Sequence, residues 1–229
     1  MSLNHCITPT RAAPALHATP TVFIVDDDCS VREALRLLLH AEGLESVLFA
    51  SAREFLAQPR IPGLSCLILD VTLPDVSGFD LQHLIADRRE TPIIFVTGHG
   101  TIPMSVRAMK AGAIEFLTKP FDAAELLGAI HQAFERSREA LHQDSSVRAL
   151  KVGFDSLSRR EREVMALVVS GLLNKQVGSA LGISDFTVKK HRGRVMRKMR
   201  IRSFAELVRA AGTLGLTSAA HGTDSRLRA

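Results

Sequence analysis

Short apolar runs alternate with longer amphipathic segments over the first 143 residues of the chain. The runs lie at 21–25, 45–49, 65–69, 92–96 and 115–118, and the longer segments lie at 30–41, 52–57, 79–88, 102–111 and 123–142. Continuous apolar runs separated by helix-length segments are typical of buried parallel strands. Five such units predict an α/β fold with a five-stranded, doubly wound parallel sheet.

Beyond residue 155 the pattern becomes helical throughout. Ser158 and Glu161 have capping-box spacing, which predicts a helix through Val169, and a second box at 203–206 predicts a last helix over 203–211. Between them, the sequence predicts a helix over 174–181, a turn at Gly182-Ile183, and a helix that starts after Ser184 and reaches Met199. Two helices joined by a short turn containing Gly predict a helix-turn-helix in a small all-α domain.

The change of pattern predicts five regions along the chain. They are a flexible tail at 1–20, the α/β domain at 21–143, a polar linker at 144–155, the helix-turn-helix domain at 156–214, and a second flexible tail at 215–229. Residues 1–150 carry 13 Lys/Arg against 18 Asp/Glu, a net charge of −5, whereas residues 151–229 carry 16 against 6, a net charge of +10. The positive charge of the C-terminal part indicates a polyanion such as DNA as its partner.

Cysteine content and hydropathy indicate a soluble protein of a reducing cytoplasm. The three cysteines, Cys6, Cys29 and Cys66, are too few and too scattered for a disulfide framework or a metal cluster. The first 20 residues lack the apolar core of a signal peptide. No apolar stretch approaches the about 18 residues needed to span a bilayer, so we expect no membrane partner.

Polar residues follow four of the predicted strands. Asp26 and Asp27 follow the first, Asp70 the third, Thr97 the fourth and Lys119 the fifth. Because ligands of open parallel sheets bind beyond the carboxyl ends of the strands, we expect these side chains to converge on one crevice. Carboxylates can hold Mg²⁺, and a carboxylate can attack phosphorus to give an aspartyl phosphate, while an ammonium group can hold a phosphoryl oxygen. The crevice therefore predicts phosphoryl transfer.

In order and spacing, these residues resemble the receiver domain of bacterial two-component response regulators, a flavodoxin-like fold. The resemblance covers roughly 21–143 and extends to Pro74, Gly78, Gly98, Phe116 and Pro120. It implies Asp70 as phospho-acceptor, Lys119 as phosphate clamp, and a site for Mg²⁺ or Mn²⁺ formed by Asp26, Asp27, Asp70 and the backbone carbonyl of Thr72. It further implies that Thr97 and Phe116 form a switch pair and that the Lys119-Pro120 bond is cis.

Four other residues near the predicted crevice are expected to have no part in its chemistry. We expect Asp28 to cap the first helix, and therefore leave it out of the metal site. Cys66 lies within a predicted strand and is expected to pack in the core. The carboxylates near Cys29 disfavour a redox-active thiolate. His99 lies between two glycines and is expected on a loop surface.

The predicted helix after Ser184 has an apolar face of Val188, Val195 and Met199 and an opposite basic face. The N-terminal part of a recognition helix reads base edges, and flanking cations bind phosphates. Gly193 lies on the outward face although Gly destabilises a helix by about 1 kcal/mol relative to Ala, which indicates that the backbone approaches a ligand closely there. Phe186 also lies outward, near the start of the helix, where an aromatic ring can contact a thymine methyl group. The residues expected to contact DNA are Phe186, Thr187, Lys189, Lys190, Gly193, Arg194 and Arg197.

Residues 157–164, 181–184 and 187–191 resemble the LuxR-type DNA-binding domain, and this resemblance covers about 155–214. Together with a receiver, the chain is similar to FixJ/NarL-type regulators, and residues 171–176 favour the FixJ branch. The resemblance implies that the last helix serves dimerisation. Departures from the family at Phe186, Lys190 and Gly193 lie where DNA would be contacted, so they affect the target sequence rather than the activity.

The sequence therefore predicts a phosphorylation-controlled transcription factor rather than an enzyme. We expect a sensor histidine kinase to phosphorylate Asp70, the switch to reshape the face at 102–119, and a homodimer to bind promoter DNA, with RNA polymerase as a further partner. Two alternatives stay open at this point. One is a magnesium-dependent phosphatase with Asp70 as nucleophile, although no additional acid/base residue accompanies the site. The other is a DNA-binding protein whose receiver is only a structural dimerisation module.

Overall fold

The computed structural model describes residues 19–216. The chain divides into two compact units, with the boundary between Leu141 and His142. The predicted tails fall almost entirely outside the described residues, at 1–18 and 217–229. Within residues 19–216, none of the helices is long and apolar enough to cross a membrane.

The N-terminal unit contains a parallel sheet of five strands in the order β2-β1-β3-β4-β5. The strands are β1 (Thr21–Val25), β2 (Glu45–Phe49), β3 (Ser65–Asp70), β4 (Ile93–Thr97) and β5 (Glu115–Thr118). Its helices are α1 (Cys29–Ala41), α2 (Ala52–Ala57), α3 (Gly78–Leu84) and α4 (Ile102–Lys110). Helix α5 (Ala123–Asp155) begins in this unit and ends in the C-terminal one. The predicted doubly wound α/β fold is confirmed. Because the strand order changes direction at β1 and β3, the loops after these strands open a crevice.

Alternate residues of each central strand face two separate cores, as expected of extended backbone. Leu67 and Leu69 of β3 pack with residues of α2, α3 and α4. Cys66 and Ile68 of the same strand pack with residues of α1 and α5. All six residues of β3 are buried, which explains the continuous apolar run at 66–69. Burial also raises the pKa of the Cys66 thiol, consistent with the core role expected of it.

The C-terminal unit contains α6 (Arg159–Val169), α7 (Asn174–Leu181), α8 (Asp185–Lys198) and α9 (Phe204–Thr213). Its core includes Val164 and Met165 of α6, Val177 of α7 and Val188 of α8. The turn after α7 needs two glycines. Gly182 has a φ of +65°, and a Cβ on Gly178 would lie 2.7 Å from the Ile183 carbonyl oxygen. The predicted helix-turn-helix is therefore α7, this turn and α8.

Helix caps account for most of the helix starts. Asp28 accepts a hydrogen bond from the Ser30 N–H at 2.8 Å and caps α1, as expected. The capping box of Ser158 and Glu161 is formed in both directions. At α9 only half of the predicted box forms, because the Glu206 carboxylate accepts from the Arg202 N–H instead of from that of Ser203.

Two predicted helix ends are wrong. Helix α3 ends at Leu84 rather than at residue 88. Helix α5 continues through Asp155, whereas the sequence predicts a helical segment that ends at residue 142 and a polar linker at 144–155. Residues 142–146 are mostly exposed, so they lack apolar periodicity although they are helical. In the last turns, Leu150 and Phe154 pack against the C-terminal core, so they belong to that unit rather than to a linker.

Candidate functional site

The carboxylates and the ammonium at the strand ends meet in the crevice, as predicted. The Lys119 ammonium donates hydrogen bonds to Asp26 Oδ2 at 2.6 Å and to Asp70 Oδ2 at 2.8 Å. Thr97 ends β4 and is 1% exposed, and its carbonyl accepts from the Lys119 N–H at 2.8 Å. Lys119 thus joins the ends of β1 and β3 to the β5 side of the sheet. The Lys119-Pro120 bond is cis, as the receiver resemblance implies.

Three carboxylates form an acidic cluster at this crevice. Asp26, Asp27 and Asp70 each offer an oxygen, and these oxygens lie within 4.8 Å of one another. Asp26 and Asp70 are buried and Asp27 is exposed, so the cluster opens to solvent on one side. The donor set of carboxylate oxygens fits a hard divalent cation such as Mg²⁺. The predicted contribution of the Thr72 carbonyl stays a prediction.

Backbone N–H groups fix the two buried carboxylates. Asp26 Oδ1 accepts from the Asp28 N–H at 2.9 Å, and Asp70 Oδ1 accepts from the Thr72 N–H at 2.9 Å. The Arg32 guanidinium also donates to the Asp26 carbonyl at 2.6 Å. Each carboxylate thus has one oxygen on its own loop and the other on Lys119, which gives the cluster a defined geometry before any ligand binds.

Burial and the ion pairs shift the ionisation of the cluster. Burial raises the pKa of Asp26, although the hydrogen bond from Lys119 acts in the opposite direction. Burial alone would lower the pKa of Lys119, but the hydrogen bonds to Asp26 and Asp70 outweigh it and the pKa is raised. Lys119 therefore stays protonated at neutral pH. Its ammonium contacts Asp26 and Asp70 within a cluster of three carboxyl groups, which favours the binding of a further cation.

Two glycines allow close packing around the crevice. A Cβ on Gly78 would lie 2.3 Å from the Asp70 carbonyl oxygen, because the loop after β3 folds back on Asp70. A Cβ on Gly100 would lie 2.4 Å from Thr118 Cγ2 and 3.0 Å from Phe116 Cε1. The ring of Phe116 is half-buried, 6.1 Å from that of Phe95. Gly100 therefore borders the predicted switch residue Phe116.

The basic face of α8 is also largely as predicted. Val188, Val195 and Met199 are buried. Six of the seven residues expected to contact DNA are exposed, namely Phe186, Lys189, Lys190, Gly193, Arg194 and Arg197. Thr187 differs, because it is half-buried and its hydroxyl lies 2.8 Å from the Ser184 hydroxyl at the helix cap. Its side chain serves the start of the helix.

Several cations of α8 bind within the C-terminal unit. Lys198 Nζ lies 2.7 Å from the buried Glu161 carboxylate, and the hydrogen bond from Lys198 lowers the pKa of Glu161. Arg192 donates to Asn174 Oδ1 at 2.5 Å, and Lys189 pairs with Asp185 at 2.9 Å. Over residues 19–216, no ion pair engages Lys190, Arg194 or Arg197. Among the cations of α8, these three are therefore available to a polyanion.

Comparison with known families matches both units. Residues 22–131 match the family described as response regulator receiver domain. Residues 155–211 match the family described as bacterial regulatory proteins, luxR family. Nodulation protein W of Bradyrhizobium diazoefficiens is 51% identical over 198 residues, 86% of this chain and 87% of the relative. The relatedness thus extends over both units.

The chain is a response regulator of the FixJ/NarL family. Response regulator protein TodT of Pseudomonas putida is 45% identical over 194 residues, 84% of this chain and 86% of the relative. The solved structure of response regulator StyR is 47% identical, with a TM-score of 0.72 over 85% of this chain and 99% of that one. The resemblance found in the sequence is confirmed, and the regulator consists of a receiver followed by a LuxR-type DNA-binding domain.

Some residues that shape the sites of this response regulator were not predicted. Arg32 and the pair of Arg192 with Asn174 act through contacts between residues that are separated in the sequence, which no local pattern reveals. Gly100 acts through close packing. Of these residues, only Gly100 could have been predicted from the sequence. It follows the predicted strand end at Thr97 by three residues, in a short segment that also contains Gly98.

Proposed function

We propose that a sensor histidine kinase phosphorylates Asp70 of this response regulator, and that the phosphorylated receiver dimerises and thereby controls binding to promoter DNA. The observation that carries the proposal is the Lys119 ammonium held between Asp26 and Asp70 in the acidic cluster. A cation beside a nucleophilic carboxylate is the arrangement that phosphoryl transfer requires.

In the transfer step an Asp70 oxygen bonds to phosphorus while the bond from phosphorus to the donor nitrogen breaks. Lys119 neutralises charge on the phosphoryl oxygens as they arrive. Asp26, Asp27 and Asp70, together with the Thr72 carbonyl, would hold Mg²⁺ or Mn²⁺. Such a cation supplies further charge neutralisation when it is bound. The Thr97 hydroxyl then turns toward the phosphoryl group, and the Phe116 ring moves inward behind it.

The exposed apolar residues of α4 support a receiver dimer. Ile102 is 81% exposed, Val106 45% and Met109 44%. They lie on the face at 102–119 that adjoins the switch residue Phe116. Apolar side chains clustered on one exposed helix face favour a partner surface. Dimerisation through α4 would bring two DNA-binding domains to half-sites about 10 bp apart, with α9 as a second dimer contact and RNA polymerase as a further partner.

The test is to treat the full chain with acetyl phosphate and Mg²⁺ and to measure its molar mass by light scattering. We expect a shift from monomer to dimer and a parallel increase in DNA affinity. The affinity is measured by fluorescence anisotropy on a duplex that the phosphorylated chain selects from a random pool. Ile102→Glu should still accept a phosphoryl group but should remain monomeric, because it places a charge in the apolar contact.

Leu37→Glu is the matched control, because Leu37 is 55% exposed on α1. Helix α1 packs on the opposite face of the sheet from α4. This variant should dimerise like the parent. A dimer that forms equally well without acetyl phosphate would instead support the purely structural receiver, and a parent chain that is phosphorylated but stays monomeric and gains no DNA affinity would refute the proposed control.

Substitution Gly193→Ala tests the DNA-contacting face. A Cβ at this position meets nothing within 4 Å, so packing in the protein does not demand the glycine. We expect the variant to be more stable by about 1 kcal/mol, because Ala is the better helix former. DNA affinity should fall by roughly tenfold if the helix backbone approaches the duplex here. Calorimetry and anisotropy measure the two effects.

Gly128→Ala in α5 is the control, since a Cβ there also meets nothing within 4 Å. It should give the gain in stability without loss of DNA affinity. Undiminished DNA binding by Gly193→Ala would mean that the glycine does not face the duplex.

A further inference from the structure

Phe186 is an apolar ring on a polar helix face. It is the second residue of α8 and is 76% exposed. The apolar residues of α8 that form the domain core, Val188 and Val195, lie on the opposite face. Exposure of a large aromatic ring at the start of a helix does not help the helix to fold, because Phe is a mediocre helix former. The exposure of this ring is therefore better explained by contact with a ligand.

The neighbours of Phe186 identify the kind of ligand. At helical spacing, Phe186, Lys190, Gly193 and Arg197 form one outward line along α8. Lys190 and Arg197 are exposed cations, and Lys189 lies at the edge of the same face. A surface that binds an apolar protein partner has further apolar residues around such a ring. The residues around Phe186 are instead positively charged and complement phosphate.

Within duplex DNA, one apolar group projects from a base edge into the major groove, the C5 methyl group of thymine. The N-terminal part of a recognition helix is the part that reaches the base edges. Phe186 occupies that part of α8, and the cations along the same line could bind the flanking phosphates.

We propose that Phe186 is a specificity-determining residue that contacts the C5 methyl group of a thymine in the target site. The inference rests on the proposed binding of DNA by α8, and it adds a chemical preference that the binding activity alone does not specify. The contact discriminates thymine from cytosine at one position of each half-site.

The experiment removes the methyl group alone. The full chain, with acetyl phosphate and Mg²⁺, first selects duplexes from a random pool. Each thymine of a selected duplex is then replaced by uracil, which keeps base pairing and the hydrogen-bonding edge. At one thymine per half-site we expect uracil to weaken binding by the parent about fourfold, the scale of one buried methyl group. Binding by Phe186→Ala should be the same with thymine or uracil there.

Leu173→Ala is the matched control, because Leu173 is also exposed, at 71%, and lies at the start of α7. It should retain the sensitivity of the parent to uracil. A parent that tolerates uracil at every position would overturn the inference, as would a Phe186→Ala variant that remains as sensitive as the parent. A parent that selects no duplex at all would instead refute the DNA binding on which the inference rests.

Discussion

Replacing Asp70 by Asn is expected to abolish phosphoryl addition, whereas the parent chain gains one phosphoryl group from acetyl phosphate in the presence of Mg²⁺. Asn has the shape of Asp but lacks the anionic oxygen that attacks phosphorus. Its amide is also uncharged, so the acidic cluster of Asp26, Asp27 and Asp70 loses one of its negative charges. Intact-protein mass spectrometry of both chains, followed over time and over a range of Mg²⁺ concentrations, measures the effect.

The fold should survive this substitution. The hydrogen bond of Lys119 to Asp26 at 2.6 Å does not depend on residue 70. The Asn carbonyl oxygen can still accept from the Thr72 N–H, but the Asn NH2 group then faces Lys119 and the hydrogen bond between Lys119 and residue 70 is lost. Removal of one of three clustered carboxylates relieves repulsion within the cluster, which offsets the lost ion pair with Lys119. The circular dichroism spectrum should therefore be unchanged and the melting temperature should not fall.

Asp80→Asn provides a matched control, because Asp80 is an exposed carboxylate in the first turn of α3. It should be phosphorylated like the parent. Phosphoryl addition retained by Asp70→Asn would place the acceptor at another residue, and a parent chain that is never modified would contradict the proposed phosphoryl transfer.

The strands and most helices of this regulator are predictable because the hydrophobic effect acts on local patterns. The run at 65–69 has no polar residue after Ser65 until Asp70, and every residue of β3 is buried. The wrong end of α5 has the opposite cause. A helix that lacks a neighbour over part of its length needs no apolar face there, so the mostly exposed stretch at 142–146 has no period to detect.

The polar residues of the crevice are predictable for a topological reason, since parallel strands place their carboxyl ends at one edge of the sheet. What the sequence does not reveal is which partner each side chain has. Lys119 contacts both Asp26 and Asp70, which are far from it in the sequence. The sequence does not distinguish Thr187 from the other predicted DNA contacts of α8, but its hydroxyl lies beside that of Ser184. Both outcomes depend on three-dimensional distances rather than on residue type.

Gly78→Ala is expected to be strongly destabilising. The new Cβ would lie 2.3 Å from the Asp70 carbonyl oxygen and 3.1 Å from Val71 Cα, and both are backbone atoms. A flexible side chain could turn away, but here the loop or the end of β3 has to move. Overpacking of this kind lowers the free energy of unfolding by about 1–3 kcal/mol or more. The Gly78 N–H also donates to the Val71 carbonyl at 2.9 Å, and movement would weaken that bond.

Because the displaced group is Asp70 itself, the substitution should also slow phosphoryl addition in molecules that remain folded. Thermal unfolding followed by circular dichroism suits this chain, which contains no Trp or Tyr. The same change at Gly128, where a Cβ meets nothing within 4 Å, should instead stabilise α5 by about 1 kcal/mol. Equal stability of the two alanine variants would show that the loop after β3 can relax without loss, and the close approach of Gly78 to Asp70 would then not be what requires a glycine.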